Sequence, residues 1–219
     1  MTAALIGFAA VAAVVLHRLW LAQRLLWMAR HPAPTFVFAD LVGYTALTAR
    51  RGDEAAARVA REFRRTMTAL SREHGAWQVK SMGDGAMIWA PDAAQAVALA
   101  ARAVREVGTR ADLLPVRVGA HTGPAVMRGG DWYGNAVNVA ARLADEAHPN
   151  EALISVTTRS AAGELEWALR KRFELVLRGI ENPVVVWRLE ACAERWKDRR
   201  GPRVLTSTGS QTTDDLGPW

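Results

Sequence analysis

The chain has 219 residues, half of them hydrophobic, with 28 Lys and Arg against 22 Asp and Glu and a single cysteine, Cys192. That length fits one compact domain with appendages, and one cysteine excludes an internal disulfide framework. The net charge of +6 invites a nucleic-acid reading, but residues 1–34 hold three arginines and no acid while residues 35–190 hold 20 basic and 18 acidic side chains, so no dense basic stripe supports that class.

Ala3–Leu16 is an unbroken apolar run of 14 residues, followed by a stretch that mixes Leu and Trp with His17, Arg18, Arg24 and Arg30. A bilayer span needs about 20 residues, a length reached near Leu21 or Leu26 if His17 and Arg18 snorkel. Trp20 and Trp27 share a helical face suited to the membrane interface. No positive residue precedes the run, which argues against a secretory signal peptide. Every arginine of this segment follows the run, and that orients the remainder toward the cytoplasm. We expect residues 1–31 to form a hydrophobic helix that anchors the chain in a membrane by a single span, the alternative being a buried or surface-lying helix.

His31-Pro-Ala-Pro34 ends that segment. FVFADLV (36–42) reads as a buried strand, with a turn at Gly43-Tyr44-Thr45. From about Asp53 to His74 apolar residues recur at helical spacing. Trp77–Ala90, WQVKSMGDGAMIWA, reads as a hairpin turning at Gly-Asp-Gly. Asp92 is the expected N-cap of a second helix that stops at Gly108. PVRVGAHTG (115–123) is a strand and NAVNVAARLADEA (135–147) a helix, and ALISV, RFELVL and VVVWRL are strand-like. The tail from about Arg199 lacks periodicity and is read as disordered. The order predicts an α+β fold, helices on a mostly antiparallel sheet, beginning as the ferredoxin-like βαββαβ unit with additional strands. The expected division is 1–31 anchor, 32–190 folded domain and 191–219 polar tail.

Two sets of residues carry chemistry. Asp40 closes a buried strand, where a carboxylate is costly unless paired or metal-bound. Asp84 at the hairpin tip becomes its neighbour if the two strands pair, giving two carboxylates at one sheet edge, as Mg²⁺ with retained waters and phosphates requires. The Leu41–Thr45 turn supplies backbone N–H groups that lead into a helix, a phosphate cradle in form. Asn138 and Arg142 lie i, i+4 on one helical face, in a narrow polar stripe among Val137, Val139, Ala140, Ala141 and Leu143. Lys80 stands in an otherwise apolar strand and neither set explains it.

FADLVGYT, VKSMGDG, RVGAHTG and DWYGNAVNVAAR, in this order and spacing, resemble the catalytic domain of class III adenylate and guanylate cyclases over roughly residues 35–190. The resemblance implies that Asp40 and Asp84, with Leu41, hold two Mg²⁺ or Mn²⁺ ions per active site. It makes Asn138 and Arg142 the groups that position the ribose and stabilise charge on the α-phosphate. It also makes Arg117 and Arg178 contacts of the triphosphate, beside the Gly43, Tyr44 and Thr45 turn. Arg178 stands where many relatives have a lysine, the same charge in another geometry. Lys80 and Asp131 match the positions that read the purine; an ammonium that donates and a carboxylate that accepts suit ATP over GTP. The family's sites form between two subunits, so the implied assembly is a homodimer with ATP as substrate.

Three rivals stand beside this reading. A catalytically silent cyclase-fold module would be expected to have lost a metal aspartate or the Asn/Arg pair, and a guanylate cyclase would carry other residues at 80 and 131. A diguanylate cyclase would show a second acid after Gly-Gly-Asp, where this chain has Trp132.

Overall fold

The computed structural model describes residues 33–165 and 169–189, together with position 18. The expected membrane helix over 1–31 and the polar tail over 191–219 lie outside the described residues. Among those described, no helix is long and apolar enough to cross a membrane.

Among the described residues nine strands and four helices follow in order: β1 (Thr35–Leu41), α1 (Tyr44–Glu73), β2 (Trp77–Ser81), β3 (Gly85–Ala90), α2 (Ala93–Gly108), β4 (Val116–Thr122), β5 (Val126–Arg128), β6 (Asp131–Tyr133), α3 (Asn135–Glu146), β7 (Glu151–Ser155), α4 (Val156–Ala161), β8 (Leu169–Leu175) and β9 (Val184–Leu189). Seven strands make one sheet in the order β2-β3-β1-β4-β7-β9-β8, and β5 and β6 form a separate ribbon. The β2-β3-β1-β4 portion is antiparallel throughout, which is the ferredoxin-like arrangement expected of βαββαβ. The added strands join through a single parallel pair, β4 with β7.

Period-two alternation divides β1 between two faces. Val37, Ala39 and Leu41 enter the main core with Phe63, Met67 and Leu70 of α1 and Val97, Leu99 and Val104 of α2. Phe36 faces the other way, into a second cluster with Met87 of β3 and Ala136 and Ala140 of α3. The sheet is therefore sandwiched, and Asp40, in phase with Phe36 and Phe38, stands on the α3 side. That placement keeps a carboxylate out of the main core.

Three local features differ from the sequence expectation. The first helix begins at Tyr44 instead of Asp53, and Gly52 interrupts it with non-helical angles (φ 79°, ψ 167°), a kink open to glycine. The Arg128–Asp131 segment closes a tight hairpin through Gly129 and Gly130, both at positive φ; a Gly-Gly pair between short runs is the signal for it. A short helix, α4, caps β7, with the Ser155 hydroxyl accepting from Thr158 N at its start. The Asp92 cap is as expected, its side chain accepting from Gln95 N at 3.0 Å.

Among the described glycines the closest approach of another backbone is at Gly119. A Cβ there would collide with Ala140 O, Leu143 C and Ala144 N of α3. Only glycine lets α3 lie this near β4. Gly119→Ala should therefore lower the unfolding free energy by about 1–3 kcal/mol, as overpacking does. Denaturant titration followed by circular dichroism would measure it; an unchanged midpoint would show that α3 is not seated on β4 as described.

Candidate active site

Two sheet strands and a hairpin tip gather the carboxylates. Asp40 pairs in register with Gly85 on one side and with Arg117 on the other. Leu41 N donates to the backbone oxygen of Asp84 at 3.0 Å, so the two acidic residues expected to be neighbours are brought together. Arg117 donates to Asp40 Oδ2 through Nε at 3.0 Å and Nη2 at 2.7 Å. Burial raises the Asp40 carboxyl above its ordinary range; Arg117 pulls it back down, and the negative charges of Asp84 and Asp145 add to the rise.

Two carboxylates at one edge, each with oxygen to spare, fit a hard cation that completes its shell with waters and phosphates. Among the described residues no group of three or more His, Cys, Asp or Glu is placed to hold a metal ion by itself. Leu41 can contribute only its backbone oxygen, because its buried side chain is a hydrocarbon with no ligand atom.

The turn beyond β1 leads into α1 through Gly43, at φ 85°, with no side-chain cap. The first N–H groups of α1 are thus left for a ligand, and a helix N-terminus favours an anion there. Tyr44 packs its ring on the core, so it and Thr45 offer backbone donors to this cradle.

On the far side of β3 the structure explains Lys80. In an unbroken strand, residues 77, 79 and 81 would share one face and residues 78 and 80 the other. The β2–β3 register instead shifts between Gln78 and Lys80, so that Trp77 opposes Trp89, Gln78 opposes Ile88 and Lys80 opposes Met87. Gln78 keeps the α1 side, accepting from Thr68 Oγ1 at 2.7 Å. The bulge at Val79 turns Lys80 to the α3 side, the re-aiming that such bulges provide. There its Nζ reaches Asp131 Oδ2 at 2.6 Å across 51 residues of sequence. Asp131 Oδ1 accepts from Trp132 N at 2.9 Å, and Trp132 packs against Phe36 and Trp89. The Lys80 hydrogen bond, followed by that backbone N–H, holds the Asp131 carboxyl below its usual range.

Asn138 and Arg142 lie on α3, Asn138 exposed and Arg142 partly so. Arg142 Nη1 donates to Asp145 Oδ2 at 2.9 Å. Asp145 also takes Arg117 Nη1 on its backbone oxygen at 2.9 Å. Sequence reasoning passed over Asp145, although its i, i+3 spacing from Arg142 on a helix was a usable sign. Arg178 sits in the turn after β8, exposed, between Leu177 and Ile180, which pack on Val139 and Leu143 of α3. That turn lies at the end of the sheet opposite Asp40, since Leu175 pairs with Val184 while Leu189 pairs with Ala152 and Glu151 with Arg117. Within one chain the candidates thus form two groups. One comprises Asp40, Leu41, Asp84, Arg117 and the Gly43–Thr45 cradle. The other comprises Lys80, Asp131, Asn138, Arg142 and Arg178 around the β5–β6 ribbon and α3.

Residues 26–191 match the family described as the adenylate and guanylate cyclase catalytic domain. A Mycobacterium tuberculosis protein named as a pH-sensitive adenylate cyclase is 32% identical over 189 residues, 83% of this chain and 44% of its own length. An adenylate cyclase of Streptomyces griseus is 35% identical over 121 residues, 55% of this chain and 30% of its own. The chain therefore spans less than half the length of these relatives. In fold it resembles an adenylate cyclase from Trypanosoma brucei described in its monomeric state, with a TM-score of 0.67 at 22% identity over 75% of this chain and 91% of that one. The guanylyl cyclase Cya2 gives a TM-score of 0.63 at 24% identity over 74% and 94%.

Lys80→Met should return the Asp131 carboxyl toward its ordinary value, because the largest downward influence on it is removed. Carboxyl carbon chemical shifts followed against pH would measure this; an unmoved Asp131 would mean the pair does not form as seen here.

Proposed function

The chain belongs to the family of adenylate and guanylate cyclase catalytic domains, and from that premise we propose that it converts ATP to 3′,5′-cyclic AMP and pyrophosphate. The observation that carries the choice of nucleotide is the Lys80–Asp131 pair, Nζ to Oδ2 at 2.6 Å. An ammonium donor and a carboxylate acceptor side by side complement adenine, whose N1 accepts and whose 6-amino group donates. Guanine presents N1–H and O6 in the reverse sense, which sets donor against donor and acceptor against acceptor. A silent regulatory module is disfavoured because every polar position of the site is filled.

The reaction needs the hydroxyl, the α-phosphorus and the leaving pyrophosphate in line. Mg²⁺ or Mn²⁺, two per site at Asp40 and Asp84 with the Leu41 backbone, would supply charge neutralisation of the triphosphate and a lowered pKa of the 3′-hydroxyl. Arg117, Arg178 and the open N–H groups at Gly43, Tyr44 and Thr45 hold the phosphates. Asn138 orients the ribose, and Arg142 meets the charge that grows on the α-phosphate oxygens in the transition state.

Arg178 stands at the end of the sheet opposite Asp40, so a symmetric homodimer that sets one group against the partner's other group is the assembly that would complete the site, twice over. Val126, Met127 and Tyr133 on the β5–β6 ribbon and Trp77 and Met82 beside it, all exposed, give that face the apolar surface an interface needs. For the segment before the domain, the apolar run and the arginines that follow it support a membrane anchor with the catalytic unit on the cytoplasmic side.

The full chain incubated with ATP or GTP and Mn²⁺, with products quantified by mass spectrometry, should yield cyclic AMP and little cyclic GMP. Asp40→Ala and Asp84→Ala should abolish the product. Arg142→Ala should lower kcat by about 10²–10³ with a smaller change in KM. Co-expressed Asp40→Ala and Arg142→Ala chains should recover activity through one intact site per heterodimer. Cyclic GMP as the main product would make the chain a guanylate cyclase, and silence of the unmutated chain with both nucleotides would make it a regulatory module.

A further inference from the structure

Arg117 and Arg142 serve opposite halves of the proposed site, yet one residue holds both. Asp145 Oδ2 accepts from Arg142 Nη1 at 2.9 Å, its Oδ1 lies 3.7 Å from Arg117 Nη2, and its backbone oxygen accepts from Arg117 Nη1 at 2.9 Å. Arg117 turns its Nε and Nη2 to Asp40 Oδ2. All three guanidinium nitrogens of Arg117 are thus fixed on two anchors, and charge alternates along Asp40, Arg117, Asp145 and Arg142. The line runs from the end of β1, across β4, to the last turn of α3. Its geometry depends on Gly119, two residues beyond Arg117 on the same face of β4, where the backbone of α3 comes closest.

The network is too exposed to serve mainly as a source of stability. Arg142 and Asp145 keep 43% and 49% of their side-chain surface in water, and a pair so exposed adds little to folding. Orientation is another matter. A free arginine has many rotamers, and a guanidinium that must meet a transition state loses rate when it must first be found in the right one. The Asp145 carboxylate reaches Arg142 from one turn along the same helix and narrows that choice before substrate arrives.

We propose that Asp145 is a positioning residue shared by the two composite sites of the dimer. Through its carboxylate it aims Arg142 into the site completed by the partner's metal half. Through its backbone oxygen and, more weakly, its carboxylate it steadies Arg117 in the site built on its own chain's Asp40 and Asp84. The proposal rests on the cyclase reading with shared sites, and it links each site physically to the other through one residue per chain.

Heterodimers separate the two effects. One full-length chain carries Arg142→Ala and supplies Asp40, Asp84 and Arg117; the other carries Asp40→Ala and supplies Asn138 and Arg142. Asp145→Ala added to the second chain should lower kcat about tenfold with KM for ATP little changed. Added to the first, it should raise KM about two- to threefold with kcat nearly kept, since the backbone contact to Arg117 survives. Asp145→Glu in the second chain should restore part of kcat. Unchanged kcat with Asp145→Ala in the chain that supplies Arg142 overturns the proposal. So does a melting temperature lowered by several degrees with kcat intact, which would assign Asp145 to the fold. If the parent heterodimer makes no product while the unmutated chain does, the shared-site reading fails and the cyclase reading stands; if both are silent, the cyclase reading fails. The arginine Nε–H resonances, which need no turnover, then decide this one: Asp145→Ala should shift Arg142 strongly and Arg117 weakly, and an unmoved Arg142 overturns it.

Discussion

The approach of the α3 backbone to β4 at Gly119 is the constraint on which the functional face of this protein depends. Without a side chain at that position, the helix settles against the strand itself instead of on a layer of side chains. This lowers the last turn of α3 to the level of Arg117 and brings Asp145 within reach of it. It also seats Ala136 and Ala140 near Phe36 and Met87, so that the small apolar face of α3 closes the second core while its polar stripe remains outside. A helix one side chain further out would lose both the packing and the polar contacts.

From that seat the rest of the face is assembled by registers. The β1–β3 and β1–β4 pairings set Asp40 opposite Gly85 and Arg117. The bulge in β2 moves Lys80 to the same side as Asp40, and the β5–β6 ribbon, pinned by Trp132 on Phe36 and Trp89, carries Asp131 to it. None of these polar contacts is deeply buried: the Lys80 and Asp131 side chains keep 42% and 26% of their surface. Ion pairs of that exposure add little to folding. They are retained on a surface otherwise furnished with apolar side chains, and their worth lies in the direction each group is made to point.

The geometry also bears on the proposed pairing of two copies. The carboxylates and the uncapped start of α1 occupy the edge where β1 ends. Arg178, by contrast, stands at the opposite end of the sheet, in a turn packed on the middle of α3. No bending of a seven-stranded sheet brings these together, because the strands between them are paired on both sides. In the proposed dimer a second copy related by a two-fold axis would bring them together without any movement, and the exposed apolar ribbon is the surface offered for it.

Much of this was legible in the sequence because it rests on local chemistry. Alternation in FVFADLV, the Gly-Asp-Gly turn, the Asp92 cap and the helical stripe around Asn138 and Arg142 each follow from backbone geometry over a few residues, and their order was enough for the βαββαβ core. The resemblance of four ordered motifs named the family and its polar positions. Several things were decided only by tertiary structure. That Lys80 faces Asp131 depends on a one-residue bulge, which shifts pairing with β3 and leaves no mark in β2 itself. That Asp145 belongs with Arg117 depends on helix–strand distance, fixed by a glycine 26 residues earlier in the chain. Sequence periodicity tells which face a residue occupies, whereas which residue it meets there is set by register and by how closely two backbones can approach.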